Sequence, residues 1–136
     1  MTALEAARAE IGVSESPKGS NNVKYNTWYY KREVYDGLWG AKFPWCMVFV
    51  QWCFSTAGRP LEYKTSSCSA LLYWYRKNHP ELVSSEGKPG DIVIYDFGHT
   101  GIAESVGGGF VTAIEGNTSV SSADNGGRVM RRRRPL

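Results

Sequence analysis

Apolar positions fall at helical spacing at the start of the chain, where Leu4, Ala7 and Ile11 share one side and Thr2 with Glu5 makes the capping-box pattern. A short amphipathic helix is predicted over Thr2 to Ile11, with Gly12 as its stop. From Ser14 to Phe43 the period is lost. Gly, Asn, Ser and aromatics, including Lys24-Tyr25-Asn26-Thr27-Trp28-Tyr29-Tyr30, follow one another without a repeat, which reads as an ordered loop with room for one helical turn. A nearly continuous apolar stretch then runs from Pro44 to Ala57. A helix apolar on almost every side is a buried one, so this is expected to be the central helix. Pro44 suits its first turn, and Gly58 with Pro60 reads as its end. A third helix is predicted from Ser67 to Asn78, closed by His79-Pro80 because proline drives its predecessor out of the helical region.

After Pro89-Gly90 the pattern changes to extended runs: Asp91 to Tyr95, His99 to Val106, and Phe110 to Glu115. Gly107-Gly108-Gly109 suits a three-residue hairpin loop, because one of its positions must take positive φ. If Val106 and Phe110 close that hairpin, counting outward sets His99 opposite Asn117 and Gly101 opposite Glu115. Opposed residues share a face, as do alternate residues along a strand. His99, Glu115 and Asn117 are therefore expected on one side of the sheet, among the small residues Gly101, Ala103, Val111 and Ala113. That small-residue face is where the helix beginning near Cys46 is expected to lie. A loop of two or four residues would reverse the relation and part His99 from Glu115. The run Arg131 to Arg134 reads as a final edge strand after an Asn125-Gly126-Gly127 turn, since arginines on an edge discourage unwanted pairing.

Length and composition narrow the class. With 136 residues, 42% of them hydrophobic and 13% aromatic, the chain supports one core, so a single domain over residues 1–136 is expected. The net charge is +3, and outside the arginine run the chain is nearly neutral, which is no nucleic-acid signature. Beyond its edge role, such a run attracts anionic polymers. No apolar run reaches the roughly 18 residues of a membrane span. The N-terminus lacks a basic start and an apolar stretch, so no secretory signal is read. Three cysteines without export features argue for reduced thiols rather than a disulfide framework.

The candidate chemistry begins at Cys46. A helix N-terminus offers partial positive charge and free N–H groups, which stabilise a thiolate and lower its pKa. Taken alone, a cysteine in an apolar helix is a small core residue, and Cys53 and Cys68 keep that reading. Cys53 lies two turns further along, about 10 Å away at 1.5 Å per residue, too far to bridge Cys46. The partner set changes the reading for Cys46. The thiolate would attack a carbonyl carbon, His99 would hold the thiol proton and hand it to the leaving amine, and Glu115 would fix the imidazole and favour its charged form. Asn117 would share that orienting task or help backbone N–H groups hold the oxyanion. His79 reads as a helix C-cap, and Glu104 and Asp96 as solvated or turn residues. Most aromatics read as packing, with Trp45 and Tyr25 as the first candidates to line a substrate groove.

Pro44-Trp45-Cys46 leading an aromatic-rich helix, Pro89-Gly90-Asp91-Ile92-Val93-Ile94 leading to Gly98-His99-Thr100-Gly101-Ile102, and Ile114-Glu115-Gly116-Asn117-Thr118 resemble the successive motifs of the CHAP family, the cysteine- and histidine-dependent amidohydrolases/peptidases. The resemblance implies an α+β, papain-like fold with N-terminal helices packed on a C-terminal antiparallel sheet. It implies peptidoglycan as substrate, cut between N-acetylmuramic acid and L-alanine or within the stem or cross-bridge peptide. It maps the nucleophile to Cys46, the base to His99, the orienting acid to Glu115 and a polar fourth member to Asn117. The stretch Lys24 to Tyr29 looks most like phage or prophage endolysin domains of Gram-positive hosts. Some relatives carry an aspartate-rich calcium loop before the nucleophile. Here residues 24 to 45 offer only Glu33 and Asp36, so no metal and no cofactor is expected. The remaining expectations are a monomer without nucleic-acid or membrane partners, made in the cytoplasm and acting on the wall after release. Two other readings stand beside the enzyme: a non-catalytic wall-binding module on the same fold, and an intracellular amidase of a small peptide conjugate.

Overall fold

The computed structural model describes residues 1–118 and 125–136. Helix α1 (Ala3–Ala9) starts at Thr2, whose hydroxyl accepts from the Glu5 N–H while the Glu5 carboxylate accepts from the Thr2 N–H. Each end of that box satisfies a donor the helix would leave open. Helix α2 (Lys24–Tyr30) occupies the stretch expected to be loop. Its N-cap, Val23, offers no side-chain acceptor, so tertiary packing holds it: Tyr25 is fully buried, its ring 5.0 Å from those of Phe49 and Trp52.

Helix α3 (Cys46–Thr56) runs through the core, where Met47, Val48, Phe49, Val50 and Cys53 have no exposed surface. Burying each of the larger side chains contributes roughly 1.5–3 kcal/mol. The helix ends in a Schellman motif, with Gly58 at φ +77°, the Arg59 N–H on the Phe54 carbonyl at 2.9 Å and the Gly58 N–H on that of Ser55 at 3.0 Å. Its beginning differs from the expected one. Trp45 is the N-cap, Pro44 lies outside, and Cys46 is the first helical residue. Helix α4 (Cys68–Asn78) is capped by Ser67, whose hydroxyl accepts from the Ala70 N–H, and closes at His79 before Pro80.

Strands β1 (Ile92–Ile94), β2 (Thr100–Gly107), β3 (Phe110–Thr118) and β4 (Arg128–Pro135) form an antiparallel sheet in chain order, with β4 at an edge. The architecture is α+β with the helices N-terminal to the sheet. No helix among the described residues is long and apolar enough to cross a membrane.

The hairpin corrects one expectation and preserves its consequence. Gly108 and Gly109, at φ +60° and +82°, make a two-residue turn, and Gly107 pairs with Phe110, Val106 with Val111 and Ser105 with Thr112. That turn alone would part His99 from Glu115. Glu104, however, bulges out between Ala103 and Ser105, and beyond it Ala103 pairs with Ala113 and Ile102 with Ile114. The bulge cancels the turn. It also turns Glu104 toward Arg8 of α1 and Arg131 of β4, each at 2.6 Å. Those two guanidiniums, Arg131 foremost, hold the Glu104 carboxyl down at about 2.

The packing face is a second correction. Helix α3 packs on β2 and β3, and its side chains share one core cluster with Ile102, Ile114 and Val129, with Ile92 and Ile94 packed against it. The small residues Ala103, Val111 and Ala113 form a separate cluster with Val93, Tyr95 and Val106. Close approach of helix and sheet is made at Gly116, where a Cβ would sit 2.6 Å from Phe49 Cβ and 3.0 Å from the Trp45 ring.

Candidate active site

Cys46 occupies the first position of α3, whose N-cap side chain makes no capping bond, so the first-turn N–H groups remain for the thiol. His99 immediately precedes β2, and Glu115 lies on β3. Both are fully buried and joined, His99 Nε2 to Glu115 Oε1, at 2.9 Å. The other imidazole nitrogen, Nδ1, is buried with no other hydrogen-bond partner among the described residues, and it is the nitrogen left for the Cys46 thiol. Cys46 itself retains 7% exposure.

Glu115 enters this arrangement because Gly101 leaves room for it. A Cβ at Gly101 would lie 2.7 Å from Glu115 Cγ. The carboxylate accepts four bonds: from His99, from the Tyr95 hydroxyl at 2.9 Å, and from Arg134 Nε and a terminal Arg134 nitrogen at 2.8 and 2.7 Å. The two-pronged arginine contact fixes the plane of the carboxylate as well as its charge. Arg134 also lies over the Tyr95 and Phe97 rings at 5.2 and 5.3 Å, and both rings stack with the His99 imidazole. A layered wall of guanidinium, aromatic ring and imidazole results.

The electrostatics follow from these contacts. The Cys68 thiol, 3.8 Å away sulfur to sulfur, is the foremost influence on Cys46. With the His99 charge and the Met47 N–H it overcomes burial and brings the Cys46 thiol down to about 5. Burial pulls His99 downward, but the neighbouring Cys46 thiol and the bonded Glu115 carboxylate outweigh that and raise it above the ordinary 6.5. Glu115 is pushed up by burial and pulled further down by Arg134 and His99, so it stays below the ordinary 4.5. Cys53, buried without such partners, is raised. Such a site can hold a thiolate beside an imidazolium.

The structure thus brings Cys46, His99 and Glu115 together and leaves three expected site residues elsewhere. The Asn117 side chain is spent on β4's approach: Oδ1 accepts from the Gly127 N–H at 3.0 Å and Nδ2 donates to Asn125 at 3.3 Å. It bonds neither to His99 nor to the thiol. Trp45 and Tyr25, expected in a groove, have no exposed surface. The Trp45 indole donates to buried Glu15 at 3.1 Å and the Tyr25 hydroxyl to Glu10 at 2.9 Å, so both anchor the core. Phe97, 44% exposed and stacked on His99, is the aromatic beside the chemistry. Its place two residues before His99 was the available signal. Arg134 and Tyr95 were hidden because their role depends on strand pairing, and Cys68 because only tertiary packing sets it beside Cys46. A depression of about 410 Å³ lined by Val13, Ser16, Asn22, Lys24 and Glu33 contains none of these residues. Among the described residues no group of three or more His, Cys, Asp or Glu side chains is arranged to hold a metal ion.

An α+β fold that sets a helix-start thiol against a histidine–carboxylate pair is arranged as thiol-dependent hydrolases are. The family model of the CHAP domain matches residues 38–117, more than half of the sequence, and the chain belongs to that family. Amidase or peptidase chemistry on peptidoglycan is the activity that membership implies in general. No curated protein and no solved structure matches the chain.

Proposed function

We propose that the chain cleaves an amide bond of bacterial peptidoglycan through an acyl-enzyme on Cys46. One arrangement carries the reading: a free thiol at the start of α3 next to an imidazole whose far nitrogen is bonded to a buried carboxylate. The Cys46 thiolate attacks the carbonyl carbon, and first-turn N–H groups of α3 receive the negative charge that grows on the carbonyl oxygen. His99, charged in the resting pair, delivers its Nδ1 proton to the departing amine and then takes a proton from the water that hydrolyses the thioester. Glu115 keeps Nε2 protonated and the ring in plane, and Arg134 with Tyr95 keeps Glu115 in place. Asn117 acts on the site indirectly, tying the strand that carries Glu115 to residues 125–127. The bond cut is the muramoyl–L-alanine amide or a peptide bond of the stem or cross-bridge, and the setting is that of an endolysin acting on the wall after release.

Digestion of purified cell walls, with mass analysis of the released fragments, tests both activity and bond. The parent should release fragments with new amino groups, and Cys46→Ala and His99→Ala should each lose activity by a factor of about a thousand or more. A Cys46→Ala protein that digests walls as fast as the parent overturns the reading.

A further inference from the structure

The Cys46 and Cys68 sulfurs lie 3.8 Å apart, both thiols are free, and each opens a helix, α3 and α4 respectively. Both retain 7% exposure, whereas Cys53 is sealed in the core. Cys68 steadies the Cys46 thiolate in the resting site, but no bond-making step of amide cleavage uses a second thiol. A serine or alanine there would fill the space without the chemistry.

We propose that Cys68 is a resolving thiol, and that hydrogen peroxide converts the pair into a reversible Cys46–Cys68 disulfide that switches the enzyme off and protects its nucleophile. The proposal rests on the reading of Cys46 as an activated thiol. In the first step the Cys46 thiolate attacks one peroxide oxygen: an S–O bond forms, the O–O bond breaks, sulfur is oxidised by two electrons, and the departing hydroxide leaves as water with a proton from His99. In the second, the Cys68 sulfur attacks the Cys46 sulfenic acid. An S–S bond forms, the S–O bond breaks, and hydroxide leaves as a second water with the proton Cys68 gives up. Two thiols and one peroxide thus give one disulfide and two waters. The sulfurs need to close less than about 2 Å to reach bonding distance. Without Cys68 the sulfenic acid has no thiol neighbour in reach, and a second peroxide carries it to the sulfinic acid, which dithiothreitol does not reverse.

The full chain and its Cys68→Ser and Cys68→Ala variants, each checked for folding by circular dichroism, would be exposed to hydrogen peroxide and then to dithiothreitol. Peptide mapping by mass spectrometry reads the thiols, and wall digestion reads activity relative to each protein's own untreated rate. The parent is expected to lose two hydrogens in a linked pair of peptides carrying residues 46 and 68, and to regain most of its activity with dithiothreitol. The variants should gain two oxygens at Cys46 and recover at least about tenfold less. Sulfinic acid at Cys46 of the parent with Cys68 still a thiol, equal recovery by the variants, or no oxidation at either thiol would each overturn the proposal. The mapping does not depend on wall digestion, so a parent that links its thiols but leaves walls intact indicts the substrate assignment alone.

Discussion

At the scale of single residues, two glycines and an arginine set the site. At Gly116 any side chain collides with Phe49 and Trp45, so Gly116→Ala must push α3 off the sheet. The expected cost is about 1–3 kcal/mol in urea denaturation, together with lost activity because Cys46 moves with its helix. Gly101→Ala meets Glu115 Cγ and the Ile114 carbonyl instead, at 2.7 and 2.9 Å. Its activity loss should exceed its stability loss, which a wall-digestion assay beside a melting curve would resolve. Arg134 has 13% of its side chain exposed and Glu115 none. Arg134→Gln removes two of the four bonds of a buried carboxylate and leaves those of His99 and Tyr95, and should cost about 1–3 kcal/mol at neutral pH. Arg134→Lys keeps the charge but loses the fork, and should recover part of that stability while the plane of Glu115 stays unrestrained. Equal stability of the parent and Arg134→Gln would remove the arginine from the site. Arg134 lies on β4, beyond the stretch matched to the family.

At the scale of elements, the periodic segments were legible in the sequence and the aperiodic ones were not. The helices α1, α3 and α4 announce themselves through Thr2, Gly58 and Ser67, whose capping chemistry is local. Helix α2 has no cap and only seven residues, and it stands because Tyr25 packs on Trp45, Phe49 and Trp52, a cause that no local window contains. The β2–β3 register is instructive for a different reason. The pairing of His99 with Glu115 followed from assuming a three-residue loop, whereas a two-residue turn and a bulge at Glu104 produce the same alignment. The bulge could not be read because its cause is tertiary: Arg8 and Arg131 converge on the extra residue. Glu104→Gln tests that tie. It weakens contacts to α1 and β4 at once, and a loss of about 1 kcal/mol is expected at pH 7, since the arginines are half exposed and screened. The carboxyl is depressed in the folded chain, so its stabilisation is present above the ordinary 4.5 and fades as pH falls toward 2. Parent and variant should converge in urea midpoint near pH 2, and a constant gap down to that pH would contradict the account.

For the whole molecule, His99 with Glu115 sets a pH window for the stability of that pair and Cys46 with His99 another for activity, and the two do not coincide. His99 is raised in the folded state, so its stabilising share is fully present below its ordinary 6.5 and is lost as pH climbs through the raised value. Glu115 is lowered, so its share is fully present above the ordinary 4.5 and is lost as pH falls through the lowered value. Both contributions are complete together only between 4.5 and 6.5. The proposed amide cleavage needs a different pair of states: thiolate at Cys46, present above about 5, and a proton on His99, present until pH passes its raised value. The wall-digestion profile should therefore rise near pH 5 and fall on the alkaline side of 6.5, its optimum displaced upward from the stability plateau. Alkylation by iodoacetamide separates the limbs, because it reports the thiolate alone: labelling of Cys46 should follow the acid limb and persist through the alkaline one, while Cys53 stays unlabelled across the range. In Glu115→Gln the imidazolium loses its carboxylate, so the alkaline limb should move to lower pH while the acid limb moves up as the thiolate loses its charged neighbour. A narrowed bell in that variant ties both limbs to one coupled pair, and an unchanged alkaline limb would mean that a group other than His99 supplies the proton.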